Sequence, residues 1–116
     1  MSNTKRGGLV RFFIFKEGKK YIGLCLDLDI VEENVSLEAL KASLSEAAVG
    51  YVETVINGDM SDRLLNKAIP KSYLRKYQAY LRCLERETFN KQSCPTFNGA
   101  LISTASLPLH RNWTML

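Results

Sequence analysis

The amino-acid sequence predicts an α+β fold: a small antiparallel β-β-β sheet, a long helix packed across it, a second basic helix and a candidate C-terminal strand. Three observations predict it. Residues 21–29 alternate apolar and polar or small side chains, the period of a half-buried strand. Residues 37–57 repeat apolar side chains at three- and four-residue steps, the period of an amphipathic helix. A β-branched and aromatic run, 9–16, precedes the alternating segment by one short turn, which makes the pair a hairpin.

The first strand is LVRFFIFK. Val10, Phe12 and Ile14 fall on one face and Arg11, Phe13 and Phe15 on the other. Both faces are largely apolar, so the strand is expected to be central or covered on both sides. EGKK then turns the chain, with Gly18 free to take a positive φ. In YIGLCLDLD, Ile22, Leu24, Leu26 and Leu28 point one way, and Tyr21, Gly23, Cys25, Asp27 and Asp29 the other. Ile30 and Val31 are placed to begin a third strand, and Glu33-Asn34 to turn it, because asparagine tolerates the left-handed region.

Ser36 is a suitable N-cap and Glu38 suits the positive helix start. The helix stripe is Leu37, Leu40, Leu44, Ala47, Ala48, Tyr51, Val52 and Val55, with Lys41, Ser45, Glu46, Glu53 and Asn57 away from it. Gly50 costs about 1 kcal/mol against alanine, and close approach to the sheet is the expected compensation. Gly58 ends the helix. In the connection, Leu64, Leu65 and Ile69 are expected to pack loosely. A second helix runs from about Pro70 to Glu87, with Tyr73, Leu74, Tyr77, Tyr80, Leu81 and Leu84 as its apolar stripe. In the tail, FNGAL suits a tight turn and ALISTASL a short strand.

At 116 residues there is room for one domain, and 46% hydrophobic residues suffice for a core. No apolar run reaches the ~18 residues of a membrane helix, and the basic MSNTKRGG is not followed by a signal-type apolar stretch. A cytoplasmic protein without a membrane partner is expected. Three cysteines without C-x-x-C spacing suit neither a disulfide framework nor a zinc site. Cys25 and Cys83 read as small buried hydrophobes, and Cys94 as a thiol in a polar loop. Through Asp62, seven basic and ten acidic residues make −3; from Arg63 onward, nine and two make +7. The two halves are therefore expected to present surfaces to different partners.

There is no G-x-S-x-G, no Walker loop, no G-x-G-x-x-G and no H-E-x-x-H. The single histidine, His110, lies in the unpatterned C-terminus. Asp27 and Asp29 share a strand face on this reading, yet no third ligand completes a metal site. No enzyme, metal or cofactor is expected.

The segment YIGLCLDLDIVEENVSLEAL, residues 21–40, carries Tyr21, Gly23, Cys25, Asp27, Asp29, Ile30 and Val31 in one ordered run, followed by Ser36, Leu37 and Glu38 at a helix start. In that order and spacing it resembles the N-terminal domain of HicB-like antitoxins, over roughly residues 9–58. Asn34 stands where that family has glycine, Val35 replaces an aspartate, and Ala39-Leu40 replace a Glu-Ala pair. The second half shows none of the helix-turn-helix or ribbon-helix-helix modules that many such antitoxins append. The resemblance divides the chain into a ββ(β)α unit, 1–62, and a basic helical extension with a tail, 63–116, within one domain. It implies self-association into a homo-oligomer and neutralisation of a small RNA-cleaving HicA-like toxin by occlusion. Asp27, Asp29, Glu32 and Glu33 are then the expected charged contacts, and Tyr21 an amphipathic one. Two other readings stand beside it. One is a nucleic-acid-binding regulator that uses Lys71, Arg75, Arg82 and Arg86, with Tyr73, Tyr77 and Tyr80 stacking bases. The other is an oligomerisation domain without a toxin.

Overall fold

The computed structural model describes residues 2–90, 97 and 99–115. Strands β1 (Leu9–Glu17) and β2 (Lys20–Cys25) form the hairpin, joined at Gly18, whose φ of 65° a side chain would strain. β3 (Ile30–Asn34) pairs antiparallel with β2, and β4 (Leu101–Ser106) antiparallel with β1, so the order is β3-β2-β1-β4. The long helix α1 (Leu37–Asn57) and the basic helix α2 (Lys71–Asn90) each cover one face. The fold is therefore α+β, as the periodicities predict.

The alternation in β1 sorts the core. Val10, Phe12 and Ile14 enter an aliphatic cluster with Leu40, Leu44, Ala48, Val52 and Val55 of α1. Phe13 and Phe15 enter an aromatic cluster with Tyr77 and Tyr80 of α2, where Phe13 lies 5.4 Å from the Tyr80 ring and 5.6 Å from the Tyr77 ring, centroid to centroid. Such ring pairs add about 0.5–1.5 kcal/mol each beyond their buried area.

Ser36 caps α1, its hydroxyl accepting from the Ala39 amide at 3.2 Å. Gly58 follows the last helical residue, but the left-handed position is Asp59, at φ 46°. Gly50 does not lie against the sheet: a Cβ there would meet nothing within 4 Å. The close approach is at Gly23 of β2, where a Cβ would stand 3.0 Å from Leu44 Cδ2 and 3.2 Å from both Leu40 methyl carbons.

The tail widens the buried face of α1. Leu107, Leu109 and Met115 complete the aliphatic cluster, and Trp113 stacks on Phe12 at 5.2 Å. Ser45 and Val49, outside the expected stripe, are buried for this reason; the Met115 amide donates to Ser45 Oγ at 2.9 Å. The connection also packs more tightly than expected. Asp62–Leu65 forms a 3-10 turn, and Leu65 and Ile69 are buried. Buried Asn3 ties the N-terminal segment to this turn, donating to the Leu65 carbonyl at 2.9 Å and accepting from the Leu9 amide at 2.9 Å. Along α2 the expected stripe turns inward except for Leu81, which is exposed. Cys25 is buried, and burial pushes its thiol up to about 12. Cys83 is half-buried and disulfide-bonded, which corrects its reading as a plain hydrophobe: spacing rules detect frameworks and zinc sites, not a single bond. Cys94 lies outside the described residues.

Candidate partner-binding site

The alternating run ends earlier than its pattern suggests. After Cys25 the chain leaves the ladder. The Leu26 amide donates to the Arg11 carbonyl at 2.8 Å, and the Asp27 carboxylate takes the place of a strand partner. Asp27 Oδ2 accepts from the Arg11 backbone N–H at 2.8 Å and from its Nε at 3.2 Å, while Oδ1 accepts from Nη2 at 2.8 Å. This bidentate pair, with the Asp27 hydrogen bond as the main cause, raises the Arg11 guanidinium pKa further. Asp27 is therefore engaged within the fold by Arg11, with its side chain 16% exposed. The Lys67 amide, donating to the Asp27 carbonyl at 2.7 Å, holds the same turn from the other side.

Asp29 comes out of this turn exposed, at φ 54°. It does not share a strand face with Asp27, because the strand ends between Cys25 and Asp27. For the same reason Leu28 leaves the side of Leu24 and Leu26 and joins the α1 cluster.

β3 then forms one edge of the sheet, and among the described residues no strand pairs with its outer side. Glu33 and Asn34 belong to β3 rather than to a turn; the turn follows, with Asn34 Oδ1 accepting from the Ser36 amide at 2.9 Å. Opposite Cys25, Gly23 and Tyr21, the residues Ile30, Glu32 and Asn34 face α1, and Val31 and Glu33 face the other way. Val31 is 41% exposed, and Val35, just beyond the strand, 74%. Glu33 pairs with Lys20 at 2.9 Å on the surface. Tyr21 is half-buried against the α1-side core, with Lys16 Nζ 5.7 Å from its ring centroid.

Glu32 opens into a groove of about 920 Å³ between β3, α1 and the 3-10 turn, also lined by Ser43, Glu46, Gly50, Tyr51 and Lys67. The Ser43 hydroxyl donates to Glu32. Burial, and then the charge of Glu46, raises the Glu32 carboxyl pKa. The Tyr51 hydroxyl donates to the Leu64 carbonyl at 2.7 Å, and burial followed by the charge of Asp29 raises its pKa. Glu32 and Glu46 thus line the groove together with the Lys67 cation, Asp29 lies near enough to act on Tyr51, and none of the three carboxylates is in a salt bridge among the described residues. Sequence reasoning missed Glu46 and Ser43. The available signal was their i, i+3 spacing on the polar side of α1.

On α2, Lys71, Arg75, Arg82 and Arg86 are exposed. The tyrosines expected to stack bases face the sheet instead. Tyr77 and Tyr80 are each 8% exposed and Tyr73 is half-buried against Phe15, because the aromatic side of β1 needs covering. His110 is exposed in the tail.

Comparison of the chain with protein-family models, with curated proteins and with solved structures finds no match. No described helix is long and apolar enough to cross a membrane.

Proposed function

We propose that this chain is a non-enzymatic protein-binding module of the HicB-like antitoxin kind, which neutralises a small basic RNA-cleaving toxin by covering its active site. One observation carries the reading: two carboxylates not engaged in ion pairs, Glu32 and Glu46, line a groove beside an unpaired strand edge, with Asp29 close by. An edge strand recognises a partner through main-chain hydrogen bonds, and side-chain pockets supply specificity. Here the partner's strand would extend the sheet at β3, flanked by the exposed Val31 and Val35. Asp29, Glu32 and Glu46 would receive its Lys or Arg side chains. Such charges steer encounter and fix register more than they add affinity. The ordered run from Tyr21 to Glu38 supports the same reading. Asp27 would act indirectly, by holding the turn that presents Asp29.

A tagged pull-down from native lysate, with and without nuclease, tests this. A small basic protein recovered at comparable stoichiometry and resistant to nuclease is the expected result. It should possess RNA-cleaving activity that the chain suppresses. Val31→Lys combined with Glu32→Gln should abolish its recovery. An intact complex with that variant would show that the contacts lie elsewhere, and recovery of the chain alone would favour an oligomerisation domain without a toxin.

A further inference from the structure

A second surface, away from the β3 edge, carries the opposite charge. A helix of 3.6 residues per turn brings Lys71, Arg75, Arg82 and Arg86 within about 60° of arc, in a row about 22 Å long. All four are exposed, and none is ion-paired among the described residues. The row runs along the outer side of α2, while the apolar stripe of that helix is pressed onto the sheet.

We propose that this row docks the phosphate backbone of double-helical nucleic acid, without stacking on bases. Three of its four cations are arginine, whose planar fork matches phosphate oxygens two at a time. A row of that length bridges the roughly 12 Å major groove from one phosphate strand to the other. Single strands are usually held on exposed aromatic platforms, and the tyrosines of α2 are committed to Phe13 and Phe15. A membrane-surface helix needs a free apolar side to sink into lipid, and that side of α2 is already covered. The acidic residues of a second copy are a poorer match. Glu17, Asp27, Glu33, Glu38, Glu53 and Asp62 already pair with cations of their own chain, and the unpaired Glu32 and Glu46, with Asp29 close by, cluster at one groove rather than along a row that could match α2.

Fluorescence anisotropy of the full chain with a random-sequence DNA duplex tests the proposal, with a single strand of equal length and anionic vesicles measured alongside. The expected result is duplex binding that weakens on the order of 100-fold between about 50 and about 200 mM salt, the dependence of roughly four phosphate contacts. R75Q/R82Q should lower the salt slope by about two. R75K/R82K should keep the slope and lose part of the affinity. K16Q/K19Q, removing two exposed cations near the β1–β2 turn, should change neither. No duplex binding at about 50 mM salt, equal loss in K16Q/K19Q, or tighter binding to the single strand or the vesicles would each overturn it. So would self-association that disappears in R75Q/R82Q without any duplex binding. Neither Val31 nor Glu32 takes part, so V31K/E32Q, which makes the chain more positive, should bind duplex no more weakly than the unaltered chain, which separates this surface from the toxin-binding reading.

Discussion

The two faces of the sheet bury different chemistries and expose different charges. The α1 face is aliphatic, closed by leucines, valines and the returning tail, and its rim gathers Asp29, Glu32 and Glu46. The α2 face is aromatic, closed by Tyr77 and Tyr80 over Phe13 and Phe15, and its outer side is a basic row. One strand, β1, supplies both cores by simple alternation. The difference teaches how the tyrosines should be read. They are no more available to a ligand than the leucines of α1, because each set is the lid of its own core. What remains for partners is the β3 edge with Val31 and Val35, and charge of opposite sign on the two faces.

The largest expected effects test whether the two cores are equally needed. Phe13→Ala should destabilise by about 3–5 kcal/mol and Leu44→Ala by about 2–5 kcal/mol, read by denaturant unfolding. A cost under about 1 kcal/mol for Phe13→Ala would mean that α2 is not held on the sheet by these rings. Gly23→Ala should cost about 1–3 kcal/mol through overpacking. In a Leu44→Ala background it should cost less, because the methyl group it would strike has gone.

The next contrast is between the two aspartates. Asp27→Asn weakens a bidentate pair and a bond to the Arg11 amide, and should cost about 1–2 kcal/mol with the partly exposed Arg11 discounted for solvent. Asp29→Asn keeps a residue that tolerates positive φ and should change stability by no more than about 0.5 kcal/mol. Equal costs would show that the turn from Leu26 to Asp29 is held some other way.

A smaller effect should have the opposite sign. Gly50→Ala fills open space on a helix and should stabilise the chain by about 0.4–1 kcal/mol. If the partner seats closely in the groove, the same substitution weakens the complex, so stability and binding move apart. A parallel change in both would remove Gly50 from the contact surface.

The smallest expected effect is a pH dependence. The Glu32 carboxyl is raised by burial and by Glu46, so the native state holds its proton more tightly than the unfolded one. Its ionisation therefore lowers stability as pH rises from the ordinary value of 4.5 through the raised folded value. Below 4.5 the penalty is absent. Glu32→Gln should flatten that part of the stability–pH curve measured by thermal unfolding, whereas Glu33→Gln, on the solvent side, should leave it in place.

Much of this architecture was legible in the sequence because its causes are local. The period of two in LVRFFIFK follows from strand geometry, and the three- and four-residue steps from Leu37 follow from helix geometry. Ser36 caps a helix whatever the helix packs against. The sign of charge in each half is likewise a property of the chain alone, as is the i, i+4 alignment of Lys71 with Arg75 and of Arg82 with Arg86.

Tertiary structure decided what each local pattern was used for. Asp27 and Asp29 look equivalent in an alternating run. Arg11, sixteen residues before Asp27, claims that carboxylate, ends the strand and turns Asp29 out to solvent. Ser45 belongs to the polar side of α1 until Met115, seventy residues away, reaches its hydroxyl. The helix pattern assigns a close neighbour to Gly50, yet it is Gly23 that has one, because Leu40 and Leu44 lean onto β2. These outcomes depend on contacts between residues far apart in the chain. A periodic pattern records which side of an element is apolar; it does not record which distant partner arrives there.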